Sequence, residues 1–296
     1  MNAKLSGGAR INMFKPSNCS PNGDTSNGSC LDEKIILKIA KILNKKKKSS
    51  IDIEQPIEQI HNEILECMNQ EYQCKSEACI LSLKDILKLL GKDKKKVKKA
   101  FKPVMPDNWT GNNNAWLSTD DIQDSLKQHQ EKDKTFYFYG AVPIDFSNCS
   151  VSNLCSINLK EHIKNKKEKI GIVFNTDPHT SEGQHWISMY IDLKGRNLQG
   201  HPGIYYFDSY GRKPPFQIQE LIDKIMKQSL KRKLNYFYND KCYQSIDAQC
   251  GMYSVHFIKQ MIQDISFTDF LQSGLSDKNM IQQRGSYFID PTKFNI

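Results

Sequence analysis

The run "DAQCGMYSVHFI", Asp247 to Ile258, decides how the rest of the chain is read. It sets one cysteine, Cys250, beside a glycine at the head of an apolar, helix-spaced stretch. A helix start offers backbone N–H groups without intrahelical acceptors and the positive end of the helix dipole. Both stabilise a thiolate. Gly251 would leave room for a substrate backbone to approach. Taken alone, the position fits a small buried apolar cysteine better, since that is the commonest fate of the residue. The chemistry therefore depends on whether the chain supplies a base, a group to orient it and a donor for developing negative charge.

Among seven histidines, His185 in "GQHWISMYIDL" is the best-placed base. It precedes a strand in which Ser188, Tyr190 and Asp192 alternate with Ile187, Met189, Ile191 and Leu193, as a partly buried strand requires. Trp186 beside it can wall off water. His256 is weaker: six residues into the Cys250 helix, it is rotated well away from the cysteine. Asp208 ends the strand-like "GIYYFD", and a neighbouring strand end would let its carboxylate reach the far imidazole nitrogen. A turn aspartate capping its own loop is the common alternative. For the oxyanion, Gln244 and Gln249 both precede Cys250, and spacing alone does not choose between them.

The whole chain has 296 residues, 38% of them hydrophobic, enough for one sizeable core and a smaller domain. Its net charge of +9 suggests an anionic partner, although solvated basic faces are commoner. No apolar run reaches membrane-spanning length, and the start of the sequence lacks a signal-peptide stretch. Nine irregularly spaced cysteines without an export signal predict free thiols in a reducing compartment. Neither Cys74/Cys79 nor Cys149/Cys155 has zinc-knuckle spacing, so no metal site is expected.

Residues 1–29, rich in Asn, Ser, Gly and Pro, predict a disordered tail. Residues 30–100 carry helical periodicity and predict a small accessory domain, ending in the basic linker "GKDKKKVKKAFKP" from Gly91 to Pro103. Residues 101–296 mix strand-like runs ("TFYFYGAVPIDF", "KIGIVFN", "HWISMYIDL", "GIYYFDSYG", "LNYFYND") with helices starting near Ser118, at Phe216 and at Cys250. Strands and helices without regular alternation read as α+β.

The order His-Trp, Asp at a strand end, Gln, then Cys-Gly opening a helix resembles the SUMO (ubiquitin-like-protein) proteases and adenovirus protease. "FNTDPHTSEGQHWISMYIDLKG", "YYFDSYGRKPP", "FKPVMPDNWTG" and "QSIDAQCGMYSVHFI" are similar, within that group, to the African swine fever virus type of polyprotein-processing protease. That likeness runs from about Cys30 to the C-terminus. It implies a papain-like-clan core preceded by an arm-like helical domain over 30–100. It implies Cys250 as nucleophile, His185 as base, Asp208 as orienter and Gln244, six residues before the cysteine, as oxyanion donor. Trp186 would line a narrow substrate channel, and no cofactor would be needed. The swine fever type carries Asn where this chain has Asp208, and either side chain can orient imidazole.

The implied reaction is cleavage after Gly-Gly in structural polyproteins during virion maturation, in the particle and the host cytoplasm. Deconjugation of a ubiquitin-like modifier is the alternative. A non-enzymatic binding module is disfavoured by intact candidates at all four positions. Acetyl transfer is disfavoured by the lack of a cofactor-binding basic cluster near Cys250. The lysine runs suggest a weak, salt-sensitive association with DNA, though no interleaved aromatics mark a base-reading module. "KLSGGAR", Lys4 to Arg10, resembles a family cleavage sequence and suggests self-cleavage between Gly8 and Ala9.

Overall fold

The computed structural model describes residues 18–23, 25, 28–109, 111–229 and 233–294. Gly8 and Ala9 lie outside the described residues. The chain forms two compact units, 1–102 with 289–296, and 103–288.

The first unit is helical. Helix α1 (Glu33–Lys45) starts where the Asp32 side chain accepts a hydrogen bond from the Ile35 N–H at 2.9 Å. Ile35, Ile36, Ile39, Ala40 and Leu43 form its buried stripe. Helices α2 (Ile57–Tyr72), α3 (Lys84–Leu89) and α4 (Lys94–Ala100) complete the unit's core. The expected linker from Gly91 to Pro103 is thus largely structured. Val97, Ala100 and Phe101 recur at helical spacing among the lysines and are buried together. The expected tail is also fastened from Asn18 onward. Cys19 is joined to Cys30, and the Ser20 N–H donates to the Ala100 carbonyl at 2.8 Å. At the other end, Ile289 and Phe294 lie in the helical core, so residues 289–294 belong to this unit rather than to the one carrying the site.

The free-thiol expectation is corrected too. Cys19–Cys30, Cys74–Cys79 and Cys149–Cys155 are disulfides, and only Cys67, Cys242 and Cys250 are free. Each pair closes a short loop with a Cα–Cα distance of 5.1, 5.7 or 5.2 Å, a closeness that linear spacing does not reveal.

The second unit is α+β. Ser118 and Asp121 form a capping box at the head of α5 (Thr119–Lys132). Five strands follow: β1 (Phe136–Val142), β2 (Lys169–Asn175), β3 (Trp186–Asp192), β4 (Gly203–Phe207) and β5 (Asn235–Tyr238). Helices α6 (Leu159–Lys164) and α7 (Phe216–Gln228) lie between them in sequence. Then come α8 (Cys250–Ile262), α9 (Phe267–Gln272) and α10 (Asp277–Tyr287). The sheet order is β1-β2-β3-β4-β5, antiparallel at β2–β3 and β3–β4 and parallel at both edges.

Both faces of the sheet are covered. Trp186 and Tyr190 pack into the cluster that contains α8, while Ile187, Met189 and Ile191 face Ile218, Leu221, Ile222 and Ile225 of α7. All of β3 is therefore buried, rather than partly buried as its alternation suggests. Among the described residues, no helix is long and apolar enough to cross a membrane.

Candidate active site

Strands β3 and β4 pair antiparallel with Ser188 opposite Phe207. That register brings the start of β3 and the end of β4 to one end of the sheet. His185 immediately precedes β3, and Asp208 immediately follows β4. The His185 Nε2 and Asp208 Oδ1 are 2.7 Å apart, with both residues buried.

The carboxylate is itself held. Its Oδ1 also accepts from the Tyr210 N–H at 2.9 Å. The Asp208 N–H donates to Asn239 Oδ1 at 3.0 Å, and Asn239 Nδ2 donates back to the Asp208 carbonyl at 2.6 Å. The turn closes at Gly211, whose φ of +70° and lack of space for a Cβ, 2.6 Å from the Lys241 carbonyl carbon, both require glycine. Tyr210 lies against the imidazole, with ring centroids 4.9 Å apart. Neither Asn239 nor Tyr210 was singled out from sequence. Tyr210 is legible only once the β3–β4 register sets it across from His185, and Asn239 looks like an ordinary strand-end residue.

Cys250 opens α8 and is buried. The second imidazole nitrogen, Nδ1, is buried without a hydrogen-bond partner of ordinary geometry, while the Cys250 thiol is close enough to act on the ring. Burial pushes the His185 pKa down. The Asp208 hydrogen bond, the Cys250 interaction and their charges outweigh it and raise the pKa to about 9.

The two glutamines divide cleanly. Gln249 precedes α8 but makes no side-chain cap there. Its Nε2 donates to the Asn113 carbonyl at 2.9 Å, and its Oε1 accepts from Arg284. Gln244 is tied to the turn that follows Asp208. Its Oε1 accepts from Ser209 Oγ at 2.6 Å, which fixes the amide's orientation. Its Nε2 donates to the Ile246 carbonyl at 2.8 Å and, more weakly, to the Tyr210 hydroxyl at 3.3 Å.

Trp186 is 5% exposed, and its indole N–H donates to the Leu117 carbonyl at 2.9 Å. A Cβ on Gly251 would sit 2.8 Å from Leu117 Cβ and 3.3 Å from Trp186 Cδ1. The glycine therefore lets α8 seat on this wall, a packing role rather than the substrate approach expected for it. His256 stands apart: it bonds the Tyr287 hydroxyl through Nδ1, and burial, then Lys259, push its pKa down to about 4. No cluster of three potential metal ligands occurs among the described residues.

The chain matches the Ulp1 protease family, C-terminal catalytic domain, over residues 117–292, and it belongs to that family of cysteine proteases. It is 34% identical over 184 residues to R355 of Acanthamoeba polyphaga mimivirus, provisionally named a thiol protease. That match covers 60% of this chain and 59% of the relative, less than two thirds of its length. The similarity to the cysteine protease S273R of African swine fever virus is lower but longer, 24% over 292 residues, covering 92% of this chain and 95% of that one. In a pig isolate of that virus the corresponding protein, 23% identical, is named a SUMO-1 cysteine protease. The crystal structure of the swine fever protease superposes with a TM-score of 0.69 at 22% identity, covering 94% of this chain and 97% of that one, and so shows a shared fold.

Proposed function

We propose that this protein is a cysteine endopeptidase that cuts after Gly-Gly in viral structural polyproteins during particle maturation. The observation that carries the reading is an imidazole held by Asp208 on one nitrogen, with its other nitrogen buried and unbonded, and a Cys250 thiol at the start of α8 that acts on the ring. His185 takes the Cys250 proton, or the pair already rests as thiolate and imidazolium, and the thiolate attacks the peptide carbonyl carbon. The developing oxyanion is met by the Cys250 backbone N–H and the Gln244 amide, whose weaker bond to Tyr210 is the one an oxyanion replaces. His185 returns its proton to the leaving amine. It then deprotonates the water that splits the thioester, and the freed thiolate completes the cycle. The Trp186 wall borders a channel that admits glycine, and the enzyme works in the virion and the cytoplasm of the infected cell.

Deconjugation of a ubiquitin-like modifier is the second reading, favoured by family membership and by the relative named a SUMO-1 cysteine protease. One experiment separates the two: incubation with Gly-Gly-Xaa peptides and with a SUMO-modified protein, read by mass spectrometry. Cleavage of peptides alone supports the polyprotein reading, and efficient cleavage of the conjugate alone overturns it.

Two lesser proposals accompany it. Trimming between Gly8 and Ala9 should appear in the intact mass of active enzyme and not in Cys250→Ala. DNA association should weaken steeply with salt. Lys46 and Lys48 already hold Asp85 and Glu71, which leaves the lysines of α4 as the main contributors. Binding unchanged by salt would rule the association out.

A further inference from the structure

We infer that Asp277 is a positioning residue that holds the oxyanion-binding loop in its working shape, an inference that rests on the reading of Gln244 given above. Asp277 is the first residue of α10 and is buried. It is distant in sequence from every member of the candidate site. Its Oδ2 accepts three hydrogen bonds from one short stretch: the Ser245 N–H at 2.8 Å, the Ser245 Oγ at 2.6 Å and the Ile246 N–H at 2.9 Å. The same residue, held through its N–H, presents its carbonyl to Gln244 Nε2 at 2.8 Å. Asp277 thus anchors the residue whose carbonyl holds the amide that meets the oxyanion.

The rest of the loop is arranged to the same end. The Tyr243 and Gln244 N–H groups both donate to the Ser209 carbonyl, at 2.8 and 3.1 Å, next to Asp208. Seven residues along α10, on the same helix face, Arg284 bonds Gln249 and the Ala115 carbonyl. Helix α10 therefore grips both ends of the segment from Gln244 to Gln249, with Asp277 at the oxyanion end and Arg284 at the cysteine end. An oxyanion hole works because its donors are fixed before charge develops. Gln244 sits on a loop, and a loop is positioned only as well as its anchors. A charged acceptor taking two backbone N–H groups and a hydroxyl is a strong anchor, since hydrogen bonds to charged groups are about twice as strong as neutral ones.

The test compares Gln244→Ala, Asp277→Ala, Asp277→Asn and the Gln244→Ala/Asp277→Ala double variant in the full-length chain. Two rates are read: peptide hydrolysis, and alkylation of Cys250 by iodoacetamide followed on the Cys250 peptide by mass spectrometry. Alkylation forms no oxyanion, so it reports the thiol and His185 but not the loop. The expected result is a loss in kcat of roughly 10²-fold for Gln244→Ala and about 10- to 100-fold for Asp277→Ala. KM and the alkylation rate should stay near wild type. Asp277→Asn, which keeps an acceptor oxygen but not its charge, should show a smaller selective loss in kcat of roughly three- to tenfold. The double variant should be no worse than Gln244→Ala alone, because both changes remove the same contribution.

Full hydrolysis by Asp277→Ala alongside a damaged Gln244→Ala overturns the inference and leaves the reading of Gln244 intact. Full hydrolysis by Gln244→Ala overturns both. Equal loss of hydrolysis and alkylation in Asp277→Ala overturns positioning in favour of general damage to the site. If Asp277→Ala fails to fold, Asp277→Asn carries the same comparison: a selective loss in kcat supports the inference, and either no loss or a matching loss of alkylation overturns it.

Discussion

Each of the two units buries an imidazole and a carboxylate together with a hydroxyl or a thiol, and only one of the clusters has the order that the proposed catalysis needs. In the helical unit Glu77 is the hub. Ser29 donates its hydroxyl to Glu77 Oε1, and His61 Nε2 meets the same oxygen at 3.0 Å. Glu77 Oε2 accepts from the Cys30 N–H at 2.8 Å. Here the carboxylate stands between hydroxyl and imidazole. In the protease unit the imidazole bonds the carboxylate through one nitrogen and keeps the other unbonded, with the Cys250 thiol acting on the ring. A base activates a nucleophile only by touching its proton, so the first arrangement fastens a chain segment while the second prepares a reaction. The sites of the nucleophiles differ in the same sense. Ser29 lies in an irregular segment ahead of α1, whereas Cys250 is the first residue of α8. The presence of an imidazole and a carboxylate would not separate the clusters. The identity of the central group does.

The strongest way to break this comparison is to remove the two nucleophiles. Cys250→Ala should lower peptide cleavage by roughly 10⁴-fold or more while the protein stays folded, and His185→Ala should be similarly severe. Ser29→Ala should leave peptide cleavage unchanged. Residual activity of a folded Cys250→Ala near wild type would sink the assignment, and a catalytic loss in Ser29→Ala would erase the distinction between the clusters.

Removing the orienting carboxylate should cost less, because nucleophile and base remain. Asp208→Ala should lose roughly 10³-fold, and Asp208→Asn should retain far more activity, since an amide oxygen can still hold the imidazole. The pH dependence carries the sharper signature. Burial lowers the His185 pKa, but Asp208 and Cys250 together raise it to about 9, above the ordinary 6.5. The protonated ring therefore contributes its full stabilisation below about pH 6.5, and that contribution is lost as the pH rises through about 9. Activity that depends on the imidazolium should fall along a basic limb near that value. In Asp208→Ala burial is less opposed, so the limb should move to lower pH. A limb at the same pH in both proteins would show that Asp208 does not set the charge state of His185.

How much of this site is legible in the sequence depends on which residues lie on regular elements. His185 and Asp208 flank strands whose alternation and bounding turns are plain in "GQHWISMYIDL" and "GIYYFDSYG", and Cys250 begins an apolar run with helical spacing. Their meeting follows from a strand register that the sequence does not print. The helical character of 94–100 is masked by lysines, because three buried side chains suffice to dock a short helix. Residues 289–294 read as the end of the protease domain, yet Ile289 and Phe294 serve the other unit's core. Asn239 and Asp277 act through backbone groups of distant segments, and such pairings leave no local pattern.

The two glutamines test the comparison on a finer scale. Gln244→Ala should lose roughly 10²-fold in turnover. Gln249→Ala should act through stability instead, because Arg284 and the 113–114 loop lose a shared partner. A reversed pattern would transfer the oxyanion role to Gln249.

The smallest effect on activity is expected from Glu77→Ala, and it asks what the first cluster is for. Three groups converge on this carboxylate: the Ser29 hydroxyl, the Cys30 N–H and the His61 ring. Glu77 lies inside the loop closed by the Cys74–Cys79 disulfide and bonds the segment at Cys30, itself joined to Cys19, so it ties together two segments that are each already cross-linked locally. Truncation leaves buried polar groups without an acceptor, at a cost of about 2–4 kcal/mol to the helical unit. Every member of the catalytic cluster lies in the other unit, so short-peptide hydrolysis should change by less than about twofold, within the ordinary scatter for distant, independent sites. Thermal unfolding and peptide kinetics on the same preparation decide the matter. An unchanged melting temperature would show that Glu77 fastens nothing. A large loss of turnover without loss of stability would show that the helical unit takes part in the chemistry, and the contrast between a structural clasp and a catalytic triad would fail.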